Sequence, residues 1–495
     1  MDGGGPVHWT RRPAAVAGSA HECTRLVLFA GSDAACTHPS RFARLARARD
    51  AHARWLVVDP RRTATAAQAD LHLAIQPGTD VTLFNGMLHH LVWEGLLDQA
   101  FIDSHTEGFD ALKRALRDFD PRTAASVCGI TVDNLTTAAE WFGRSRSVLS
   151  LHGGGLVRPA HGEDALRALH HLHLACGQLG QPGGAGLYPL ATGTGPGEVR
   201  AGIAARGLPA RAHRFQPLGH RAPAEPVSAR FPLRLLTGRL PAQVSIDRAA
   251  AAADGQAGMP SSALPLPQRP TLRLHPADAQ RRGLAPGELV RVSGRHGQFV
   301  LPLEPSHEVN SGTAFATIRP CALATADDAD EACVPAADFE HAAVRLERAG
   351  LGWHLLAARR GDARALRAAL RPLLRECGYA AAVLHRAPAS AAAWVVVHAA
   401  AAQPMPADWL AALVQALALH TGPDTLEYRD PRRGLERRVA WRRSADAEHV
   451  DGLLWAGTDA GGNALLATAL AGNPWRGPRM AAFSAASTPA RVVHA

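Results

Sequence analysis

Three short apolar runs, each stopped by glycine, aspartate or proline plus polar groups, constrain this chain more than any other feature. The first is Leu26-Val27-Leu28-Phe29-Ala30, followed by Gly31-Ser32-Asp33. The second is Trp55-Leu56-Val57-Val58, followed by Asp59-Pro60-Arg61-Arg62-Thr63. The third is Leu71-His72-Leu73-Ala74-Ile75, followed by Gln76-Pro77-Gly78-Thr79-Asp80. Unbroken apolar runs of this length read as strands buried on both faces of a parallel sheet. Pro39 to Asp50 reads as a helix between the first two. Val81, Phe84, Leu88, Leu91 and Val92 recur at helical spacing up to Gly95. Alternating strands and helices predict an α/β domain built on a parallel sheet. Such sheets take their ligands just beyond the carboxyl ends of the strands. The polar groups that close the three runs are therefore the candidate site, and a nucleotide-like ligand is the class they imply.

The pattern continues. Thr131 and Asp133 cap a helix that runs to Phe142, and Val148–Leu151 is a further strand ending in His152-Gly153-Gly154-Gly155. A helix from Glu163 to Cys176 is stopped by Gly177. Residues 24–228 thus read as an α/β domain behind an irregular start over 1–23. Its last part, 177–228, is rich first in glycine and then in proline. We read it as a ligand-wrapping loop and a crossing segment. Residues 229–350 carry short, turn-bounded strands: Leu233–Leu236, Thr271–Leu274, Leu289–Ser293, Phe299–Leu303 and Thr313–Ile318. That spacing predicts a small β-barrel. Residues 351–495 are alanine-rich, with one strand over Val395–His398 and one helix over Trp409–Leu419. A small α+β region is expected there.

Composition removes several function classes. The net charge is +9, but Lys113 is the only lysine and aromatic residues make up only 5%. The positive charge is dispersed arginine with little to stack on bases, so no nucleic-acid partner is expected. Seven cysteines occur without a single C-x-x-C pair. Neither a disulfide framework nor a zinc ribbon nor an iron–sulfur cluster is indicated, and no metal ligand is assigned. No apolar run approaches the roughly 20 residues that span a bilayer. The first 24 residues are too broken for a signal peptide, so the cytoplasm is the expected location.

Individual motifs narrow the chemistry. His152-Gly153-Gly154-Gly155 resembles a hydrolase oxyanion loop, but no G-x-S-x-G elbow accompanies it; Gly143-Arg144-Ser145-Arg146-Ser147 lacks the last glycine. Backbone N–H groups of such a loop can also cradle a phosphate or a pterin. His170, His171 and His173 share one helix without the i, i+4 spacing of a metal pair. We read them as a partly exposed helix face. Asp59 and Asp80, each just past a strand, can grip a ribose or a guanine edge. Arg61 and Arg62 can pair with phosphate.

Taken together, these segments resemble the molybdopterin oxidoreductases that carry the bis-molybdopterin-guanine-dinucleotide cofactor. The likeness is greatest to the catalytic subunits of bacterial assimilatory nitrate reductases. The stretch from Leu26 to Asp80 is similar to that family's "GSN…HP…DPR.T.TA..AD…PGTD" pattern, with Asp33 where asparagine is usual. Phe101-Ile102-Asp103-Ser104-His105-Thr106-Glu107-Gly108-Phe109 is similar to "FI..HT.GF", and Gly177, Gly180, Pro182 and Gly183 to "L.TG.IG.PG.G". Thr237-Gly238-Arg239 resembles the start of the family's carboxyl-terminal domain. His275-Pro276-Ala277-Asp278-Ala279 and Asp338 to Val344 resemble later parts of it. The resemblance spans 26–350 and fades over 351–495. It implies cofactor contacts at Gly31, Ser32, Asp33, Asp59, Arg61, Thr63, Pro77, Gly78, Asp80, Gly155, Thr237, Gly238 and Arg239. It implies a molybdopterin guanine dinucleotide (Mo-bis-MGD) cofactor, nitrate as a small anionic substrate, oxygen-atom transfer at molybdenum, and an electron-donor protein or subunit.

The departures shape the expectation. The family opens with a cysteine-bound 4Fe-4S cluster and a molybdenum-ligand segment, and this sequence aligns from about the end of that segment. No 4Fe-4S cluster and no catalytic residue is therefore assigned to it. Arg158 stands where the nitrate-type pattern has glutamine. Ser245 and Arg319 stand where it has histidine. Two readings follow: a nitrate reductase-like oxidoreductase that is incomplete or inactive as this single chain, or a non-catalytic structural homologue within an electron-transfer complex.

Overall fold

Burial on both faces explains why the first apolar runs become the centre of a sheet. In the computed structural model, described over residues 24–179, 186–190, 213–223, 225–238, 269–295, 297–317, 341–386, 393–432, 434–444, 447–458 and 461–484, those runs are β1 (Leu26–Ala30), β2 (Arg54–Val58) and β3 (Leu71–Leu73). β4 (Thr106–Glu107) lies apart from them, whereas β5 (Val148–His152) and β6 (Gly186–Pro189) complete a parallel sheet of order β3-β2-β1-β5-β6. β4 pairs instead with β7 (His213–Arg214). Leu26 to Ala30 register against Arg54 to Val58 on one side and Val148 to His152 on the other. The chain winds outward from β1 in both directions, so strand order reverses between β1 and β5. At such a switch point the loops after adjacent strands diverge and leave a crevice.

Each face of this sheet has its own core. Val27, Phe29, Trp55 and Val57 point to one face and meet Phe42 and Leu45 of the helix Pro39–Ala48. The rings of Phe29 and Phe42 meet Trp55 edge to face at 5.5 and 5.2 Å and each other at a tilt at 6.2 Å. Leu26, Leu28, Leu56 and Val58 point the other way, into a larger core with the helices Asp80–Trp93, Val132–Arg144 and Gly162–Ala175. The third strand stops at Leu73, two residues before the sequence pattern suggests, because the chain leaves the ladder there: the Gln76 N–H donates to the Cys128 carbonyl at 2.8 Å.

Two of the three histidines of the helix Gly162–Ala175 overturn the partly exposed-face reading, while His170 is half-buried. His171 and His173 are 2% and 0% exposed. His173 sits beneath the sheet, with its Nε2 2.8 Å from the Ser150 Oγ and its ring edge-on to Phe142. An imidazole with a hydroxyl partner fits an interior, and polar periodicity alone does not reveal that partner.

Six strands form a closed barrel: β8 (Leu233–Thr237), β9 (Leu272–Leu274), β10 (Leu289–Gly294), β11 (Gly297–Pro305), β12 (Thr313–Ala316) and β13 (Ala343–Arg348), in the order β10-β11-β9-β12-β8-β13. The remainder is an antiparallel sheet of β14 (Trp353–Gly361), β15 (Tyr379–Arg386), β16 (Ala393–Ala401), β17 (Thr425–Asp430), β18 (Leu435–Ser444) and β19 (Ala447–Gly457), ordered β15-β16-β14-β19-β18-β17. Helices Ala363–Leu374 and Ala407–Ala416 cover one face of it, and Asn463–Leu470 the other. Sequence reasoning located only one of these strands. Burial on both faces removes the period-2 signal from β14 and β16, and runs of alanine blur the contrast that remains.

The chain divides into two compact units. One holds residues 1–236, 306–314 and 340–343, and the other holds 237–305, 315–339 and 344–495. Among the described residues, no helix is long and apolar enough to cross a membrane. Cys36, Cys128, Cys176 and Cys377 are free thiols; Cys23, Cys321 and Cys333 lie outside the described residues.

Candidate functional site

The loops after β1 and β5 meet backbone to backbone at the switch point. Gly31 adopts φ +55, and its N–H donates to the Val58 carbonyl at 2.8 Å. Its carbonyl accepts from the Gly155 N–H at 2.9 Å, and the Ala30 carbonyl accepts from Gly153 N–H at 3.0 Å. A Cβ on Gly31 would lie 2.2 Å from the Leu156 nitrogen, and one on Gly155 would lie 2.8 Å from the Gly31 oxygen. Only glycine permits both the left-handed turn and this approach. Ser32 beside it is buried.

Asp33 is held by a threonine from the next loop. Its Oδ1 accepts from the Thr65 hydroxyl at 3.0 Å and the Thr65 N–H at 3.3 Å, while Thr65 Oγ1 accepts from the Ala35 N–H at 2.9 Å. Sequence reasoning did not single out Thr65, although it falls on a threonine of the quoted pattern. Thr63, 2% exposed, accepts through its Oγ1 from the Ala66 N–H at 3.1 Å and so turns the chain after β2.

Asp59 follows β2 directly and is 5% exposed. Its Oδ1 accepts the Arg61 N–H at 2.9 Å, and the Arg61 Nε lies 4.0 Å away. Burial pushes its carboxyl above the ordinary range, opposed by Arg61 and reinforced by the charge of Asp33. Backbone contacts hold the loop: the Arg62 N–H donates to the Glu308 carbonyl at 2.9 Å, and Asn310 Nδ2 donates to the Pro60 carbonyl at 3.1 Å.

The third loop turns at Gly78, φ +87, where a Cβ would stand 3.2 Å from Pro223 Cγ and 3.5 Å from His341 Nδ1. Pro77 precedes it, and Thr79 closes the turn with its hydroxyl on the Gln76 carbonyl at 2.7 Å. Asp80 opens the helix Asp80–Trp93. Its carboxyl is pushed up to about 7, chiefly by burial and further by the negative charge of Asp59, against the pull of its own backbone N–H. The structure therefore gathers the polar ends of three loops along one edge, with Asp33 acting on Asp59 and Asp59 on Asp80.

Two cationic or basic groups join the site: Arg158, which the sequence pattern sets beside the expected pterin, and His341, which sequence reasoning did not place there. His341 occupies φ +63, an unfavourable region for a residue with a Cβ. Burial, then the charges of Arg234 and Arg158, lower its pKa to about 4, so it is neutral near pH 7. Arg158 follows the glycine loop, and its Nε donates to the Gly154 carbonyl at 3.3 Å. Only the closeness of His341 to Gly78, across more than 260 residues of sequence, reveals its place.

Thr237 and Gly238 belong to the second unit. Thr237 is buried at the end of β8, and the Gly238 N–H donates to the Ala316 carbonyl at 3.1 Å. Arg239, Ser245 and Arg319 lie outside the described residues. Among the described residues, no group of three or more histidine, cysteine or carboxylate side chains is arranged to hold a metal ion.

Comparison with known proteins adds to this geometry. Residues 16–253 match the family model of molybdopterin oxidoreductases, and residues 248–336 match that of the molydopterin dinucleotide binding domain. A nitrate reductase of Synechocystis sp. is 40% identical over 189 residues, covering 38% of this chain and 26% of that protein. Formate dehydrogenase H of Escherichia coli is 32% identical over 167 residues, covering 34% of this chain and 23% of its own length. The assimilatory nitrate reductase catalytic subunit of Bacillus subtilis is 31% identical over 175 residues, covering 35% and 24%. The chain thus spans about a quarter of the length of these relatives.

Proposed function

From the premise that residues 16–253 of this chain are of the molybdopterin oxidoreductase family and residues 248–336 match a molydopterin dinucleotide binding domain, we propose that the carboxyl edge of its parallel sheet holds the guanine-dinucleotide end of the cofactor. We propose further that the chain is part of a nitrate reductase-like oxidoreductase. The observation that carries the reading is the convergence of Asp59 and Asp80 beside the packed glycine turns at the switch point.

The residues fit the group. A guanine edge presents N–H donors, and the carboxylates of Asp59 and Asp80 can accept them. Asp80 is the better acceptor of the two, because Asp59 already holds the Arg61 N–H. A diphosphate needs cations and small backbone turns. Arg61 and Arg158 supply charge, and the glycines Gly31, Gly153 and Gly155 let the two loops pack backbone to backbone at the edge of the crevice. The neutral ring of His341 packs against Gly78 without adding charge beside Asp80. When bound, the molybdenum–dithiolene group supplies two-electron oxygen-atom transfer. This chain's contribution is to orient the dinucleotide, to keep Asp59 and Asp80 at one edge, and to shield that edge from water.

Nitrate as the substrate rests on the 40% identity with the Synechocystis nitrate reductase; formate dehydrogenases reach 36% and 32%, so formate is the competing substrate. The first test is nucleotide selectivity, measured by calorimetry with GDP-mannose and ADP-ribose. GDP-mannose should bind at least about tenfold tighter, because adenine turns an acceptor nitrogen toward the carboxylates where guanine turns a donor. Equal affinity would remove the guanine assignment. The second test is reduced-viologen nitrate turnover in a host that makes the cofactor. The chain alone should show none, and turnover well above that of a cofactor-deficient control would overturn the reading of an incomplete enzyme.

A further inference from the structure

A second polar cluster, unrelated to the dinucleotide edge, sits at one corner of the antiparallel sheet. Register places His354 of β14 and Tyr379 of β15 on either side of Ala400 in β16. His398 lies two residues back along β16, so all three side chains share one face. Tyr379 is 7% exposed, and its buried hydroxyl meets the Arg269 guanidinium, which can only donate, so its own O–H has no acceptor among the described residues. Half-buried Arg269 reaches the same corner, and its charge acts on the Tyr379 phenol and on both imidazoles. Among the described residues, no carboxylate pairs with Arg269, and none acts on the other three groups.

Such a corner is costly as it stands. A buried O–H with no acceptor loses on the order of 1–3 kcal/mol. A guanidinium drawn partly out of water without a counter-ion loses more. The helix Asn463–Leu470 covers Leu356, Trp394 and Val396 on this face, further along the sheet. One negatively charged oxygen group would resolve both deficits. Two of its oxygens would face the planar fork of Arg269, and a third would accept from the Tyr379 hydroxyl. His354 and His398 would each present a ring N–H. Burial and then the Arg269 charge lower the pKa of both imidazoles, His398 to about 3, and a neutral ring has an N–H to offer without an added charge.

We propose that Arg269, His354, Tyr379 and His398 form a binding site for a small inorganic oxyanion. It stands independently of the dinucleotide site, in the other compact unit. The experiment uses the full chain. Thermal unfolding is followed while sodium nitrate or sodium phosphate replaces sodium chloride at constant ionic strength, and calorimetry measures binding directly. One of the two oxyanions should raise Tm along a saturating curve, as ligand linkage requires. R269Q should weaken binding at least about tenfold, and Y379F by roughly three- to tenfold.

Y379F also serves if R269Q fails to fold. In chloride alone, deleting a buried O–H that has no acceptor should leave Tm close to that of wild type. At saturating oxyanion it should fall below wild type. A Tm rise that never saturates and is the same in wild type and Y379F would reduce the effect to general salt stabilisation and overturn the proposal. So would chloride competing as well as nitrate and phosphate, because the site would then not read oxygen geometry.

Discussion

Binding of a guanosine diphosphate ester should tighten with pH through neutrality, and the size follows from Asp80. The proposed contact is from guanine N–H donors to an ionised carboxylate, so only the ionised form binds well. In the free protein this carboxyl titrates at about 7. The apparent dissociation constant is then the limiting value multiplied by one plus the ratio of protonated to ionised Asp80. Between pH 6 and pH 8 that factor falls by about tenfold, close to 1.4 kcal/mol of binding free energy. GDP-mannose is the suitable probe, because its esterified phosphates have no proton that titrates near neutrality. Calorimetry in buffers of different ionisation heat should also find proton release, near half a proton per ligand at pH 7. D80N should bind more weakly, with an affinity flat from pH 6 to pH 8. An affinity that is level with pH in the wild-type chain, or that keeps its slope in D80N, would refute the assignment of Asp80 as the acceptor.

Two further outcomes follow from the first unit. G31A should lower stability by at least about 3 kcal/mol, since the new Cβ meets the Leu156 nitrogen at 2.2 Å and φ +55 is itself unfavourable; a urea midpoint within error of wild type would show the glycine contact to be dispensable. His152, His170, His171, His173 and His341 are all pushed down to between about 3 and about 4 by burial. The unfolded chain therefore takes up their protons first, near pH 6.5, and the stability these groups contribute is present above that pH and lost as pH falls. Each should steepen acid unfolding by up to about 1.4 kcal/mol per pH unit below 6.5. H173L should reduce the slope, as read by hydrogen exchange of the β5 amides between pH 6.5 and 4.5, and an unchanged slope would argue against a neutral buried His173.

How much of this was legible in the sequence depends on how locally each property is set. β1, β2 and β5 were readable because a strand buried on both faces needs an unbroken apolar run, and Gly31, Asp59 and Gly78 mark where each run must stop or turn. The candidate site inherits that legibility, since its acidic members sit one residue beyond a strand or at the first turn of a helix. What could not be read depends on approach between distant segments. Gly31 and Gly155 are separated by more than 120 residues, and nothing in either loop announces that their backbones touch. His173 looked like one member of a polar helix face until Ser150 supplied its partner from another element.

Asp80 shows the boundary most clearly. Its position after a Pro-Gly-Thr turn was legible, and its role as a cap-side acid follows from the helix it begins. Its pKa of about 7 was not legible, because burial and the charge of Asp59 set it, and Asp59 arrives from a different loop. A carboxyl with the ordinary pKa would be fully ionised at neutral pH whether or not a ligand were present. Raised to neutrality, the same group is half protonated when free and is drawn into the ionised form by a donor. Its identity is thus a property of the sequence, while its sensitivity to a ligand is a property of the fold that brings the two acids to one edge.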